Sequence, residues 1–281
     1  MTQLRTCITV LVDNTVRERG LLAEHGLSFW VEVGRRRILF DTGQGLVLRH
    51  NAARLNIDLS SAEAVVLSHG HYDHTGGLDK ELPSFRDAAV YAHLTAFRDR
   101  FVQRDDGSAD GVGAPIASAD ALRPHVAQLI QTRRRPRALG DGLWITGEIP
   151  RVHAYEDTGG AFFLDSACTT PDPIVDDQAM FIETPGGLVA LLGCAHAGVV
   201  NTLAHIEEVS GGKPLLAVIG GMHLASASPE RLERTFEAIE RFGPRVIIPL
   251  HCTGREATAL IAARFSGSYR DGHAGARFEF E

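Results

Sequence analysis

A chain of 281 residues with 44% apolar and 22% charged side chains has the composition of a soluble globular protein, long enough for one layered core. Its formal net charge of -7 argues against a nucleic-acid partner, whose footprint is a basic field. The longest apolar runs, at 8–12 and 188–192, fall far short of the roughly 20 residues of a membrane-spanning helix, so no membrane partner is expected. Cys7, Cys168, Cys194 and Cys252 are scattered without a C-x-x-C pair, which makes no disulfide framework and points to a reducing cytoplasm. The N-terminus shows no signal-peptide apolar region with a cleavage site.

Short Val-, Ile- and Leu-rich runs closed by polar or glycine turns predict strands at 8–12, 29–33, 37–40, 64–67, 89–92, 143–146, 180–183, 188–192, 215–219, 245–250 and 277–280. Helical spacing follows in Val199, Leu203, Ile206 and Val209, and again in Leu232, Phe236 and Ile239, with Pro229 near the start and Gly243-Pro244 as the stop. A third helix fits 256–265. Hairpins first and strand–helix alternation later predict an α/β fold with two sheets sandwiched between helices. No repeat or low-complexity linker interrupts the chain, so residues 1–281 read as one domain. Two stretches, 103–118 and 156–178, read as long loops bordering a site; the plainer alternative is that they anchor to the core or to a second subunit.

The chemistry concentrates after the strand at 64–67. His69-Gly70-His71-Tyr72-Asp73-His74 begins where that buried strand ends. His69 and His71, two apart in extended chain, share a face and can pinch one cation. Asp73 and His74 come after the chain turns and can point at a second position, and Thr75-Gly76-Gly77-Leu78 lets the backbone pass close before a helix starts. Imidazole nitrogen with carboxylate oxygen suits zinc first, with iron or manganese acceptable. His196, His223 and His251 each follow an apolar strand, so neighbouring strands can deliver them to one sheet edge. Singly, each is more often a structural histidine; as a set they read as metal ligands.

These pieces resemble the metallo-β-lactamase superfamily along most of the chain. Leu39-Phe40-Asp41-Thr42-Gly43 is similar to its first motif, the His69–His74 cluster to its second, and Gly193-Cys194-Ala195-His196-Ala197-Gly198 to its third, with His223 and His251 at the fourth and fifth. Within it, Thr146-Gly147-Glu148-Ile149-Pro150-Arg151, Asp176-Asp177-Gln178-Ala179, Gly220-Gly221-Met222-His223-Leu224 and Pro249-Leu250-His251-Cys252-Thr253-Gly254 resemble proteins grouped with the dihydropterin-methyl-ribofuranosylaminobenzene-phosphate synthase of the methanopterin pathway. The resemblance implies a four-layer αββα sandwich and one to two divalent metals per chain. It implies a first metal on His69, His71 and His196, a second on Asp73, His74 and His251, and Asp41 supporting them from behind. The departure is at motif four, where the superfamily supplies a bridging carboxylate and this chain has His223. A single imidazole nitrogen coordinates one metal, so His223 is expected to complete a more weakly held second site.

Other residues carry less. Arg133-Arg134-Arg135 with Arg137 reads as a solvated charge run, and Arg35-Arg36-Arg37 as a hairpin turn. Arg151 is the better candidate for binding an anionic substrate, against an ion pair with Glu148 or Glu156. His93 either faces the cleft as a substrate-binding residue or is a hydrogen-bonded structural histidine. Cys194 and Cys252 have the wrong phase at their strand ends to serve as ligands and read as packing residues. The expected enzyme hydrolyses a small ester, lactone or phosphoester, with a water acidified by the metals, Asp73 orienting it and accepting its proton, and His223 assisting. The alternative is transfer from a pterin diphosphate to an arylamine. The expected partner is a small-molecule substrate, with homo-oligomerisation open.

Overall fold

The computed structural model describes residues 5–104 and 106–281. It opens with a meander of β1 (Thr6–Val12), β2 (Ser28–Val33) and β3 (Arg36–Phe40), then helix α1 (Leu48–Arg54), β4 (Ala64–Val66), α2 (Tyr72–Lys80) and β5 (Ala89–His93). The middle holds β6 (Phe101–Gln103), β7 (Ala109–Gly111), a short helix α3 (Ala119–Leu122), β8 (Gln128–Thr132), β9 (Arg137–Gly140), β10 (Leu143–Ile145) and β11 (Phe162–Phe163). The last part runs β12 (Met180–Thr184), β13 (Gly187–Leu192), α4 (Val199–Ser210), β14 (Leu215–Gly221), α5 (Pro229–Phe242), β15 (Val246–Leu250), α6 (Arg255–Arg264) and β16 (Arg277–Phe280).

Among the described residues these strands make a seven-stranded sheet in the order β16-β1-β2-β3-β4-β5-β8 and a six-stranded sheet in the order β15-β14-β13-β12-β10-β9. Period-two alternation explains the layering, because both faces of most strands are apolar. Phe29 and Val31 of β2, Ile38 and Phe40 of β3, Val189 and Leu191 of β13, and Ile248 of β15 meet in one core between the sheets. Their alternates face outward: Trp30, Leu39 and Val65 pack with Leu48, Ala52 and Leu78 of α1 and α2. On the other side Ala190, Val218 and Ile247 pack with Val199, Leu203, Phe236 and Ile261 of α4, α5 and α6. The result is the expected helix–sheet–sheet–helix sandwich. No helix among the described residues is long and apolar enough to cross a membrane.

Strand direction places the site. β3, β4 and β5 are mutually parallel, and so are β13, β14 and β15, with Gly221 level with Leu250. All carboxyl ends within each set therefore emerge at one edge, and every motif residue follows such an end.

Three details differ from the sequence expectation. Helix α2 starts at Tyr72, before the glycines rather than after them. Gly76 and Gly77 lie inside it because it packs on the turn after β3, where a Cβ on Gly77 would come within 2.0 Å of the Thr42 carbonyl oxygen. The stretches at 103–118 and 156–178 also contribute strands. β7 lies in the first and β11 in the second, and with β6 they form a three-stranded sheet ordered β11-β6-β7; Asp105 lies outside the described residues. Finally, β8 and β9 form edge strands that the sequence reading left unassigned.

Candidate metal centre

The turn after β4 is held from behind by Asp41, which follows β3 in a left-handed conformation (φ 57°). Asp41 is fully buried, and it accepts hydrogen bonds from Ser68 N (2.7 Å), Ser68 Oγ (2.7 Å) and His74 Nδ1 (2.7 Å). A second buried carboxylate, Asp176, accepts from Gly70 N (2.8 Å) and from Arg100 Nη2 (2.6 Å), and Arg100 is itself only 2% exposed. Positive φ at Ala195, His223 and His251 marks the ends of the second sheet's strands as bent to face the same centre. Gly193 is required where the two edges meet, because a Cβ there would fall 2.1 Å from Ser68 Oγ.

Hydrogen bonds fix which imidazole nitrogen faces inward. The Ser68 hydroxyl donates to Asp41, so toward His69 Nδ1, 2.9 Å away, it accepts. His69 therefore carries its proton on Nδ1 and turns a bare Nε2 into the centre. The same logic holds for His74, whose Nδ1 donates to Asp41, and for His196, whose Nδ1 donates to the Thr158 carbonyl at 2.7 Å. It holds for His251, whose Nδ1 donates to Asn14 Oδ1 at 2.8 Å. His71 presents Nδ1 instead, 2.9 Å from His69 Nε2. The buried Nε2 of His196 and of His251 has no hydrogen-bond partner among the described residues. His251 Nε2 does lie 3.2 Å from Asp73 Oδ2, without hydrogen-bonding alignment. Buried lone pairs aimed at one another are costly unless a cation lies between them, so this donor set fits a divalent metal.

The ligands separate electrostatically. Burial, reinforced by neighbouring imidazoles, holds His69 and His196 well below the usual histidine range, and burial lowers His71 to about 3. These three remain neutral. Burial also opposes a charge on His74, but Asp41 and Asp73 outweigh it and raise its pKa. Burial opposes ionisation of Asp73 in the same way, yet His74, His25 and His251 hold it well below the usual carboxylate range. Asp73 also sits in the first turn of α2, where the helix dipole favours a negative charge.

The centre opens into a cavity of about 240 Å³ whose lining includes Tyr72, Val102, Val112, Phe162 and His223. Phe162, on β11, stands over the centre with its ring 4.9 Å from His71 and 5.3 Å from His196. The stretches read as site-bordering loops thus contribute Val112 and Phe162 to the wall.

A family model described as the metallo-beta-lactamase superfamily matches residues 22–167. The chain belongs to the metallo-beta-lactamase superfamily. It is 31% identical over 274 residues to the 7,8-dihydropterin-6-methyl-4-(beta-D-ribofuranosyl)-aminobenzene-5'-phosphate synthase of Methanocaldococcus jannaschii, covering 92% of this chain and 90% of the relative. It is 30% identical over 269 residues to an uncharacterized protein of the same organism, covering 95% and 98%. Among solved structures it is similar to Tm1679, described as a metal-dependent hydrolase of the beta-lactamase superfamily, with a TM-score of 0.83, 29% identity and 99% of each chain covered.

Within this superfamily enzyme the structure brings together His69, His71, Asp73, His74, His196 and His251, and it shows where five others stand: His223, Cys194, Cys252, His93 and Arg151. His223 lines the cavity with its ring 4.4 Å from that of His196, and its ligand atom groups with Cys194 and Cys252, not with the Asp73–His74–His251 side. Cys194 and Cys252 are not mere packing residues. Both line the cavity, and Cys194 Sγ lies 3.1 Å from His74 Nε2. His93 is the structural alternative: it is 2% exposed, with Nδ1 2.9 Å from Thr95 Oγ1 and Nε2 3.2 Å from Glu148, away from the cavity wall. Arg151 donates to the Pro173 carbonyl at 2.6 Å and lines a separate concavity with Asp177, whose carboxyl burial pushes up to about 7. The sequence reading also missed His25, whose Nε2 lies 3.2 Å from Asp73 Oδ2 at the mouth. No motif flags a lone histidine in the loop after β1, so only the folded chain reveals it.

Proposed function

We propose that this enzyme hydrolyses a small ester, lactone or phosphoester in the cavity beneath Phe162. The observation that supports the reading best is the set of bare inward imidazole nitrogens beside ionised Asp73. His69, His71 and His196 would hold one cation, and Asp73, His74 and His251 a second, with zinc the best match to nitrogen and carboxylate donors and iron or manganese acceptable. A divalent cation in such a site supplies Lewis acidity and lowers the pKa of a water. Asp73 would orient a water at the centre and take up its proton, and His25, 3.2 Å from Asp73 and with a side chain 55% exposed, would link that carboxylate to solvent. Phe162, Val102 and Val112 exclude bulk water and grip an apolar portion of the substrate.

A second reading rests on the synthase relative: transfer, in which a diphosphate leaves and an arylamine attacks. Metal analysis of purified protein, followed by phosphodiester, lactone and thioester panels with and without chelator, tests the first reading. One to two metals per chain and chelator-sensitive hydrolysis of one class are the expected results. Incubation with a dihydropterin diphosphate and an arylamine, against the diphosphate alone, separates the two. A coupled product with no turnover on any hydrolytic panel would replace hydrolysis by transfer.

A further inference from the structure

We propose that Cys194 is itself a metal ligand, its thiolate sulfur standing between the two histidine groups as the centre's second anionic donor. The inference rests on the metal-centre reading above and adds a residue that the ligand pattern does not contain. Cys194 is 3% exposed and lies at the carboxyl end of β13, just before the bend that carries His196. Its Sγ lies within 4.8 Å of the ligand atoms of His69 and His196, of those of His74 and His251, and of those of His223 and Cys252. Among the described residues it is the one side chain common to three such groups.

The contact with His74 Nε2 is 3.1 Å. A sulfur about 2.3 Å and a nitrogen about 2.0 Å from one cation lie roughly 3.1 Å apart at a bond angle near 90°, and about 3.5 Å apart at the tetrahedral angle. A shift of about half an ångström therefore turns this contact into shared coordination. Buried nitrogens of His196, His251 and His223 have no hydrogen-bond partner among the described residues, and each of these histidines has a ligand atom within 4.8 Å of the sulfur.

Charge favours the same assignment. Asp73 is the only carboxylate in the candidate ligand groups among the described residues, so two divalent cations there would be poorly compensated. A coordinating thiol is deprotonated outright and supplies the missing negative charge. Sulfur also biases the site toward zinc, cobalt or cadmium and away from manganese or magnesium. Cys252 has a supporting role: its Sγ points at the Cys194 carbonyl oxygen, 3.6 Å away, and fills the space beside the sulfur.

The test is optical. Cobalt(II) loaded into the full-length protein should give a near-ultraviolet sulfur-to-cobalt charge-transfer band beside its visible bands. The band should disappear in Cys194→Ala and persist in Cys252→Ala, while the visible bands of histidine-bound cobalt remain in both. The preference for zinc over manganese should fall at least tenfold in Cys194→Ala. Cobalt bound without the band, or a band indifferent to Cys194→Ala, overturns the thiolate and leaves the histidine centre standing. A protein that takes up no cobalt, zinc or manganese overturns both. Should Cys194→Ala fail to fold, X-ray absorption of the zinc-loaded wild type decides: a zinc–sulfur shell at about 2.3 Å supports the assignment, and a shell of nitrogen and oxygen alone refutes it.

Discussion

The two halves of the centre are built from the same residue type and differ in charge. His69, His71 and His196 form a neutral half, deeply buried and roofed by Phe162, each imidazole held uncharged by its burial. His74, His251 and Asp73 form a charged half, backed by Asp41 and reaching solvent through His25. Ligands of one residue type thus take on opposite electrostatic roles. The neutral half can bind a cation with little competition from protons, whereas the charged half sets an ionised carboxylate beside a histidine that reaches solvent.

The largest expected effect comes from breaking the charged half at its carboxylate. Asp73→Asn keeps the shape and removes the charge that His25, His74 and His251 share. Hydrolysis should fall by roughly 10²–10⁴, the usual contribution of a positioned base. One metal should be lost while the other stays on His69, His71 and His196. Steady-state rates with elemental analysis measure both, and retention of full stoichiometry and rate would remove Asp73 from the site.

Asp41→Asn should blur the comparison, because Asp41 touches both halves: His74 directly, and His69 through Ser68. Removing one partner of a buried ionic network costs roughly 3–5 kcal/mol. Thermal unfolding should drop accordingly, and metal affinity should weaken in both halves together. Loss confined to the His74 side would show that Ser68 alone positions His69.

Acid should expose the asymmetry more gently. His71, His69 and His196 have folded pKa values below the unfolded 6.5, so their buried neutral forms contribute stability above that pH. That contribution is lost as pH falls below 6.5, and for His71 the loss continues toward about 3. His74 has the opposite sign: its raised pKa favours the folded state at low pH and lets protons compete with metal at higher pH than in the neutral half. Metal-free protein should therefore melt progressively lower from pH 6.5 downward, and acidified holoprotein should release the metal of the charged half first. Calorimetry and metal release against pH test the two signs.

What the sequence made legible follows the same division. Strands with two apolar faces, such as β2, β13 and β15, announced themselves, and the cluster at His69–His74 could be read because its ligands are consecutive. β9, with the sequence Arg-Ala-Leu-Gly and mostly exposed, has no apolar period to detect, and two-residue β11 is too short to show one. Asn14, Thr158, Asp176 and His25 reach the centre only through the fold. Strand phase says little about Cys194 and Cys252, because both lie beyond the last residues of β13 and β15, Leu192 and Leu250.

The smallest effect concerns the roof over the neutral half. Phe162 is half-buried, pairs with Val102 across β11 and β6, and makes no hydrogen bond to any ligand through its ring. Removing it should leave the ligands' own hydrogen bonds intact, so Phe162→Ala should keep its metals and its thermal stability. What it loses is apolar area facing the substrate. Fully burying such a side chain contributes about 1.5–3 kcal/mol, and a ring that is already half-covered offers about 1 kcal/mol to a ligand. That corresponds to roughly a fivefold rise in KM. The rise should be largest for substrates with a bulky apolar group and small for compact ones, with kcat changed little, because binding energy lost equally from ground and transition states leaves kcat alone. Kinetics on two substrates of one reactive class, differing only in apolar bulk, make the measurement. A fall in metal content, or an equal loss on both substrates, would mean that Phe162 holds His71 and His196 in place and is part of the neutral half itself.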